Sequence, residues 1–137
     1  MTDIQAALGL SQIGRLEVLL AKRREIAASY HSELPRHIEP LATRKARLSA
    51  WHLCVIRVKQ SARNYVIDKL RENHIAANVH YIAINNQPFH KITPGKTSNA
   101  ARFSQSAITL PLYPDLSQSD FRLIMKCLSE INIETVS

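Results

Sequence analysis

The sequence predicts an α+β fold in two layers, with helices covering a small, mostly antiparallel sheet. The 137 residues, 45% of them hydrophobic, are enough for one ordinary core but too few for two. Segments with helical periodicity alternate with only about three short segments that resemble strands. A small sheet with helices on one face is the simplest architecture for that order.

The first predicted element is a long helix over residues 1–34. Thr2 and Gln5 can form a capping box at its start, apolar residues follow with a period near 3.6, and Pro35 prevents its continuation. Such a helix is roughly 48 Å long at 1.5 Å per residue. A compact domain of this size is only about 37 Å across. Part of the helix is therefore expected to extend beyond its own domain.

The N-terminal half of this helix has the composition of a packing surface. Between Asp3 and Arg15 it carries no charge, and Gly9 and Gly14 stand among apolar residues. An interior Gly costs about 1 kcal/mol relative to Ala, and close approach of another backbone is the usual reason to keep one. We predict that this surface packs against protein outside these residues. The alternative is that the glycines are tolerated imperfections in a helix that bends.

The remaining residues, 35–137, are predicted to form the α+β domain itself. A basic, irregular connection over residues 35–50 leads to "WHLCVIRV" (51–58), whose β-branched and aromatic residues are typical of a buried strand. Ser61 can cap the helix that follows, and its apolar stripe ends near Asn73.

The C-terminal part of the domain continues the same alternation. A short strand is predicted over residues 77–82, followed by a long irregular loop and a helix from residue 97 or 98 to about 107. The segment "ITLPLYP" (108–114) predicts a short strand that its prolines terminate. Ser117 opens the last helix, which has apolar residues on one face.

Charge and cysteine content restrict the class of protein. The formal net charge of +7 raises the possibility of a nucleic-acid partner. However, the cations at residues 22–24 are interleaved with glutamates, as on a solvated helix face. Cys54 and Cys127 lack metal-ligand spacing and are expected to be buried free thiols in a reducing cytoplasm. No apolar stretch approaches the roughly 20 residues of a membrane span, and no secretory signal is recognisable.

Few residues are candidates for chemistry. The six histidines show no metal-binding spacing, and no Ser, Cys or Lys has the local setting of a nucleophile. We therefore predict neither a metal site nor a catalytic residue. The loop "VHYIAINNQPFH" (79–90) carries the candidate substrate-binding residues His80, Tyr81, Asn85 and Gln87, because polar and aromatic side chains on a scaffolded loop often line ligand sites. The alternative is an ordinary surface loop with a partly buried tyrosine.

Five segments, in order along the chain, resemble the C-terminal portion of the DegT/DnrJ/EryC1/StrS sugar aminotransferases: "MTDIQAALGLSQI", "RREIAASYHSEL", "WHLCVIRV", "NVHYIAINNQPF" and "ITLPLYPDLS". The resemblance implies the small C-terminal domain of a fold-type I transferase that depends on pyridoxal phosphate (PLP), preceded by the interdomain helix. The loop at 79–89 would border the sugar-nucleotide site. Ala83 and Asn85 depart from the family pattern, which commonly has Pro and a second His at these positions.

The resemblance also implies a function. Complete members would transfer an amino group to a UDP-linked 4-keto-6-deoxy amino sugar in surface polysaccharide or nonulosonate biosynthesis. The lysine that binds PLP in the family lies upstream of the matching segments, and none of the lysines here has its context. We therefore predict that this chain alone neither binds PLP stoichiometrically nor transaminates. Its expected partner is a large PLP domain, or a second copy, packed on helix 1–34.

Two other functions remain open. The chain could be a stand-alone module that binds a sugar nucleotide or a partner without catalysis. A basic nucleic-acid-binding protein is less favoured, because the basic cluster at 44–47 lacks the interleaved aromatic residues of a single-strand binding surface.

Overall fold

The computed structural model describes residues 1–44, 47–90 and 98–132. Within these ranges the chain forms five α-helices and three strands, together with three short 3-10 helices. In chain order they are α1 (Asp3–Ile13), α2 (Leu16–Glu33), β1 (Glu39–Pro40), β2 (Cys54–Arg57), a 3-10 helix (Gln60–Ala62), α3 (Arg63–Glu72), two 3-10 helices (Ile84–Asn86 and Pro88–His90), α4 (Ser98–Ser106), β3 (Ala107–Leu110) and α5 (Gln118–Glu130).

The three strands form one antiparallel sheet in the order β1-β2-β3. Cys54 lies opposite Leu110 and Arg57 opposite Ala107. The N-terminal end of β2 and the C-terminal end of β3 therefore lie side by side at one end of the sheet. This architecture confirms the predicted α+β class with a small antiparallel sheet.

The core lies between one face of the sheet and the helices. Alternate residues of β2 and β3 share a face, and on that face Cys54, Ile56, Ile108 and Leu110 join the buried cluster. The cluster also contains Val66, Ile67 and Leu70 of α3 and Phe121, Ile124 and Leu128 of α5. The completely buried Tyr30 fixes α2 on this core, because its hydroxyl donates to the carbonyl oxygen of Pro111 at 3.0 Å.

The N-terminal region contains two helices, so the prediction of one uninterrupted helix over residues 1–34 is wrong. The predicted capping box is confirmed: Thr2 N donates to Gln5 Oε1 at 2.9 Å, and Gln5 N donates to Thr2 Oγ1. A turn at Gly14 and Arg15 then separates α1 from α2. Glycine is a poor helix former, and the break lies at Gly14, whereas Gly9 stays within α1. The division into 1–34 and 35–137 stays a prediction.

Helix α1 buries none of its residues. Ile4 is 83% exposed and Leu8 63% exposed, and Leu10 and Ile13 are also largely exposed. The structure therefore presents the apolar N-terminal surface that the composition of this segment predicted.

Two predicted features of the sheet are corrected. The connection at residues 35–50, predicted to be irregular, contains β1, which pairs with the edge of β2. The strand predicted at residues 77–82 is reduced to one bridge between Asn78 and Thr109. The Asn78 side chain accepts from Val79 N at 2.8 Å, and such local bonds compete with a regular ladder. Within the described ranges, no helix combines the length and apolar character needed to cross a membrane.

Candidate functional site

The loop that carries the candidate residues leaves the sheet directly after its bridge to β3. Asn78 and Thr109 exchange two backbone hydrogen bonds, at 3.3 and 2.7 Å. Two residues later, His80 Nδ1 lies 3.0 Å from Thr109 Oγ1. A hydrogen bond between the two side chains thus anchors the half-buried His80 imidazole to Thr109 of β3.

The other predicted site residues are placed less tightly. The Tyr81 ring lies edge-on to the His80 ring, with centroids 5.0 Å apart, and is 73% exposed. Gln87 is half-buried and follows the 3-10 helix Ile84–Asn86. The side chain of Asn85 lies outside the described residues, so its predicted contact with substrate stays a prediction. Phe89, which the sequence did not single out, is 91% exposed.

A cleft of about 470 Å³ opens beside His80, at the end of the sheet where β2 begins and β3 ends. Of the three predicted site residues whose side chains the structure describes, His80 lines this cleft, whereas Tyr81 and Gln87 do not. The cleft is lined by His52, Leu53, Arg71, Ala76, Ala77, Asn78, His80, Thr109, Leu110, Pro111 and Leu112. The structure therefore brings His80 together with polar residues from three other parts of the chain.

The sequence reasoning missed the polar partners of His80 in this cleft. Arg71 lies in the last turn of α3, where a basic residue is favourable at any helix C-terminus, so its position gave no sign of a site. Its Nη2 donates to the carbonyl oxygen of Ala77 at 3.2 Å and holds the guanidinium against the cleft wall. His52, Asn78 and Thr109 lie within segments quoted for the resemblance, but nothing in those segments indicated that the three side chains meet at one cleft.

Arg23 of α2 forms hydrogen bonds to the backbone of two segments that border the cleft. Its Nη1 donates to the carbonyl oxygens of Leu112 at 2.9 Å and Trp51 at 3.2 Å, and it lies 3.5 Å from that of His52. His52 and Leu112 both line the cleft. This one guanidinium therefore joins helix α2 to the two segments that flank the cleft.

The cysteines are not candidates for a reactive group. Both are free and buried, as predicted. Burial raises the pKa of the Cys54 thiol to about 12. The pKa of Cys127 is also raised, first by burial and then by the nearby Glu130 and Glu72 carboxylates. Because the thiolate is the nucleophilic form, both thiols are chemically quiet near neutral pH.

The described lysines lie away from the cleft beside His80. A transaminase needs a lysine amine at the reacting carbon of PLP. Lys22, Lys69 and Lys126 form surface ion pairs with Asp115, Glu72 and Glu130, and no described lysine lines the cleft beside His80. The lysines at 45, 91 and 96 lie outside the described residues. In the part of the chain that the structure describes, no cluster of three or more His, Cys, Asp or Glu could hold a metal ion.

Comparison with known proteins gives consistent matches over the chain. The sequence model of the DegT/DnrJ/EryC1/StrS aminotransferase family matches residues 1–129. The spore coat polysaccharide biosynthesis protein SpsC of Bacillus subtilis is 32% identical over 143 residues, which cover 96% of this chain and 36% of SpsC.

Solved structures match the fold as well. Spr1654 of Streptococcus pneumoniae, described as a sugar aminotransferase and solved in its PLP form, is 34% identical with a TM-score of 0.84; the match covers 93% of this chain and 35% of that one. PseC of Helicobacter pylori, described as an aminotransferase involved in the biosynthesis of pseudoaminic acid, is 27% identical with a TM-score of 0.84, over 95% and 37% of the two chains. The chain spans about a third of the length of these relatives.

Proposed function

Because the chain belongs to the DegT/DnrJ/EryC1/StrS aminotransferase family, we propose that it is the C-terminal part of a PLP-dependent aminotransferase. The proposed substrate is a UDP-linked 4-keto-6-deoxy amino sugar, used to make surface polysaccharide or a nonulosonate. Relatives named for spore coat polysaccharide and for pseudoaminic acid biosynthesis support this class of product. The free, buried thiols support a location in the reducing cytoplasm.

One observation carries the proposal: His80 is fixed at a cleft whose size suits a small ligand. A volume of about 470 Å³ falls within the range of roughly 300–1,000 Å³ that is usual for small-molecule sites. The bond between His80 and Thr109 sets the orientation of the imidazole before a ligand arrives. Preorganised polar groups of this kind bind and orient a substrate without an ordering cost at the moment of binding.

We propose that this chain contributes substrate binding and that the transamination chemistry comes from elsewhere in the complete enzyme. PLP supplies the electron sink of the reaction when it is bound. Lys22, Lys69 and Lys126 form surface ion pairs, and no described lysine lines the cleft. The exposed apolar side chains of α1 are the proposed contact with the PLP domain or with a second copy of the chain.

The substrate proposal is tested by titrating the chain with UDP-N-acetylglucosamine and following amide resonances by NMR. We expect saturable shifts around His80 that His80→Ala removes. His37→Ala is the matched control, because His37 is exposed and lies outside the cleft. Absence of saturable binding to the wild-type chain would contradict the proposal.

The cofactor proposal has a separate test. The chain is mixed with PLP, freed of excess, and examined for the visible absorbance of lysine-bound PLP, before and after borohydride. We expect no stoichiometric band. A band that borohydride removes, together with PLP fixed to one lysine, would show that this chain holds the cofactor by itself.

A further inference from the structure

The charged groups of the cleft beside His80 all favour a negatively charged ligand. Three of the side chains that line it are ionisable, namely Arg71, His52 and His80. Arginine is always cationic in proteins, and an imidazole can donate a hydrogen bond to an anion. Among the described residues that line the cleft, none is acidic. An anion would therefore meet the Arg71 cation and no repelling carboxylate.

The guanidinium of Arg71 has donors to spare for such an anion. A guanidinium carries five N–H donors, and the hydrogen bond to Ala77 uses one of them at Nη2. None of the ion pairs found among the described residues includes Arg71. The adjacent carboxylate, Glu72, is already paired with Lys69 at 2.7 Å. Arg71 is thus held in place by a backbone carbonyl and is not neutralised by a side chain.

His80 supplies a second donor in the tautomer that carries its proton on Nε2. When the hydroxyl of Thr109 donates to Nδ1, the proton of the neutral imidazole lies on Nε2. In this tautomer Nε2 can donate a hydrogen bond to an acceptor atom of the ligand. The backbone bridge between Asn78 and Thr109 fixes the position of this imidazole relative to β3. Phosphate oxygens are strong acceptors and pair with guanidinium groups in a bidentate manner.

We infer that Arg71, together with His52 and His80, forms a subsite for a phosphate or diphosphate group in this cleft. The identity of the group as the diphosphate of a nucleotide sugar rests on the proposed function. The subsite itself does not, since it follows from the Arg71 cation, the spare donors and the absence of acidic groups among the described lining residues. The apolar residues Leu53, Pro111 and Leu112 lie in the same cleft and can pack against the rest of the ligand.

The test compares inorganic pyrophosphate, UDP and uridine as ligands of the chain by NMR titration or calorimetry. Arg71→Gln is expected to weaken pyrophosphate and UDP binding by about tenfold or more, since it removes charge-assisted hydrogen bonds to the phosphate oxygens. Uridine binding should be unchanged. Arg122→Gln is the matched control, because it makes the same substitution at an exposed position of α5 outside the cleft, and it should change affinity less than about twofold.

A loss of folding in Arg71→Gln is kept separate from a loss of binding by recording amide spectra of each variant. Arg71→Lys provides a second measurement: it keeps the charge but not the fork of donors, and should bind pyrophosphate more weakly than wild type but better than Arg71→Gln. Equal pyrophosphate affinity of wild type and Arg71→Gln, or absence of saturable pyrophosphate binding to the wild-type chain, would overturn the subsite.

The titrations distinguish a failure of the proposed UDP-sugar substrate from a failure of the proposed phosphate subsite. UDP-N-acetylglucosamine that binds at His80 with an affinity independent of Arg71 would leave the proposed function standing and remove the subsite. Pyrophosphate binding that depends on Arg71, without any binding of the UDP-sugar, would keep the subsite and contradict the proposed substrate.

Discussion

Replacing Arg23 by Met is expected to destabilise the chain by about 2 kcal/mol and to loosen the cleft. Arg23 Nη1 carries two hydrogens, and its two short bonds reach the carbonyl oxygens of Leu112 at 2.9 Å and Trp51 at 3.2 Å. The third contact, 3.5 Å to His52, is at the limit of hydrogen bonding. Methionine keeps most of the aliphatic length but leaves both carbonyls without their donor.

The magnitude follows from those two bonds. A hydrogen bond from a charged donor contributes roughly 1.5 kcal/mol or more, so that two give about 3 kcal/mol. Trp51 is only half-buried, and water can replace part of what its carbonyl loses, whereas Leu112 is buried. We therefore expect a net loss of about 2 kcal/mol in the free energy of unfolding.

The assay is urea unfolding of wild type, Arg23→Met and Lys22→Met. With a slope of about 1.5 kcal/mol per molar urea, the Arg23 variant should unfold at a urea concentration about 1.3 M lower. Lys22 occupies the adjacent position but pairs with Asp115 at the surface, where the two side chains are 50% and 86% exposed. Such exposed pairs contribute at most about 1 kcal/mol. Equal losses in the two variants would show that Arg23 does not join α2 to the cleft.

Other predictions concern local backbone and ionisation. His74 has a φ of +59° just after α3, so His74→Gly should raise the free energy of unfolding by about 0.5–1 kcal/mol in thermal denaturation. Asn73→Gly is the control, because Asn73 has a φ of −93°, and it should lower the free energy of unfolding. A change of the same sign in both variants would refute the argument. An added Cβ at Gly9 meets no atom within 4 Å, so Gly9→Ala should increase helical circular dichroism by stabilising α1 by about 1 kcal/mol; a decrease would indicate a backbone packed there. Above pH 9 the unfolded Cys54 thiol loses its proton while the buried one retains it up to about pH 12, so the unfolded state binds fewer protons and stability should fall by about 1.4 kcal/mol per pH unit from this group. Urea titrations of wild type and Cys54→Ala across that range should show the steeper fall in wild type, and identical slopes would contradict it.

The elements that the sequence predicted best are those with local signals. Ser117 caps α5 as expected, since its Oγ accepts from Asp120 N at 3.0 Å. The apolar run around Cys54–Arg57 forms the central strand of the sheet, and its residues Cys54, Val55 and Ile56 are buried. These assignments depend on the residues themselves and on their immediate neighbours.

Features that depend on pairing between distant segments were not predictable in this way. The strand β1 exists because β2 offers it an edge, and its two residues have no strand pattern of their own. His80 was found as a candidate from its loop, but its partner Thr109 lies 29 residues away in the sequence. Arg71 enters the cleft only because the segment after α3 turns back to bridge β3 at Asn78.

Helix α1 has a thermodynamic consequence that follows from its position outside the core. Since none of its 11 residues is buried, opening it exposes almost no additional apolar surface, and isolated helices shorter than about 12–15 residues are marginal in water. Its opening free energy is therefore a local quantity, separate from that of the domain, and its amides should exchange with solvent long before those of β2 and β3. A protein surface that covers Ile4 and Leu8 would have to order this helix as it binds. Under the proposed contact of α1 with a PLP domain or a second copy, the protection of its amides would measure how much of the chain has bound that partner.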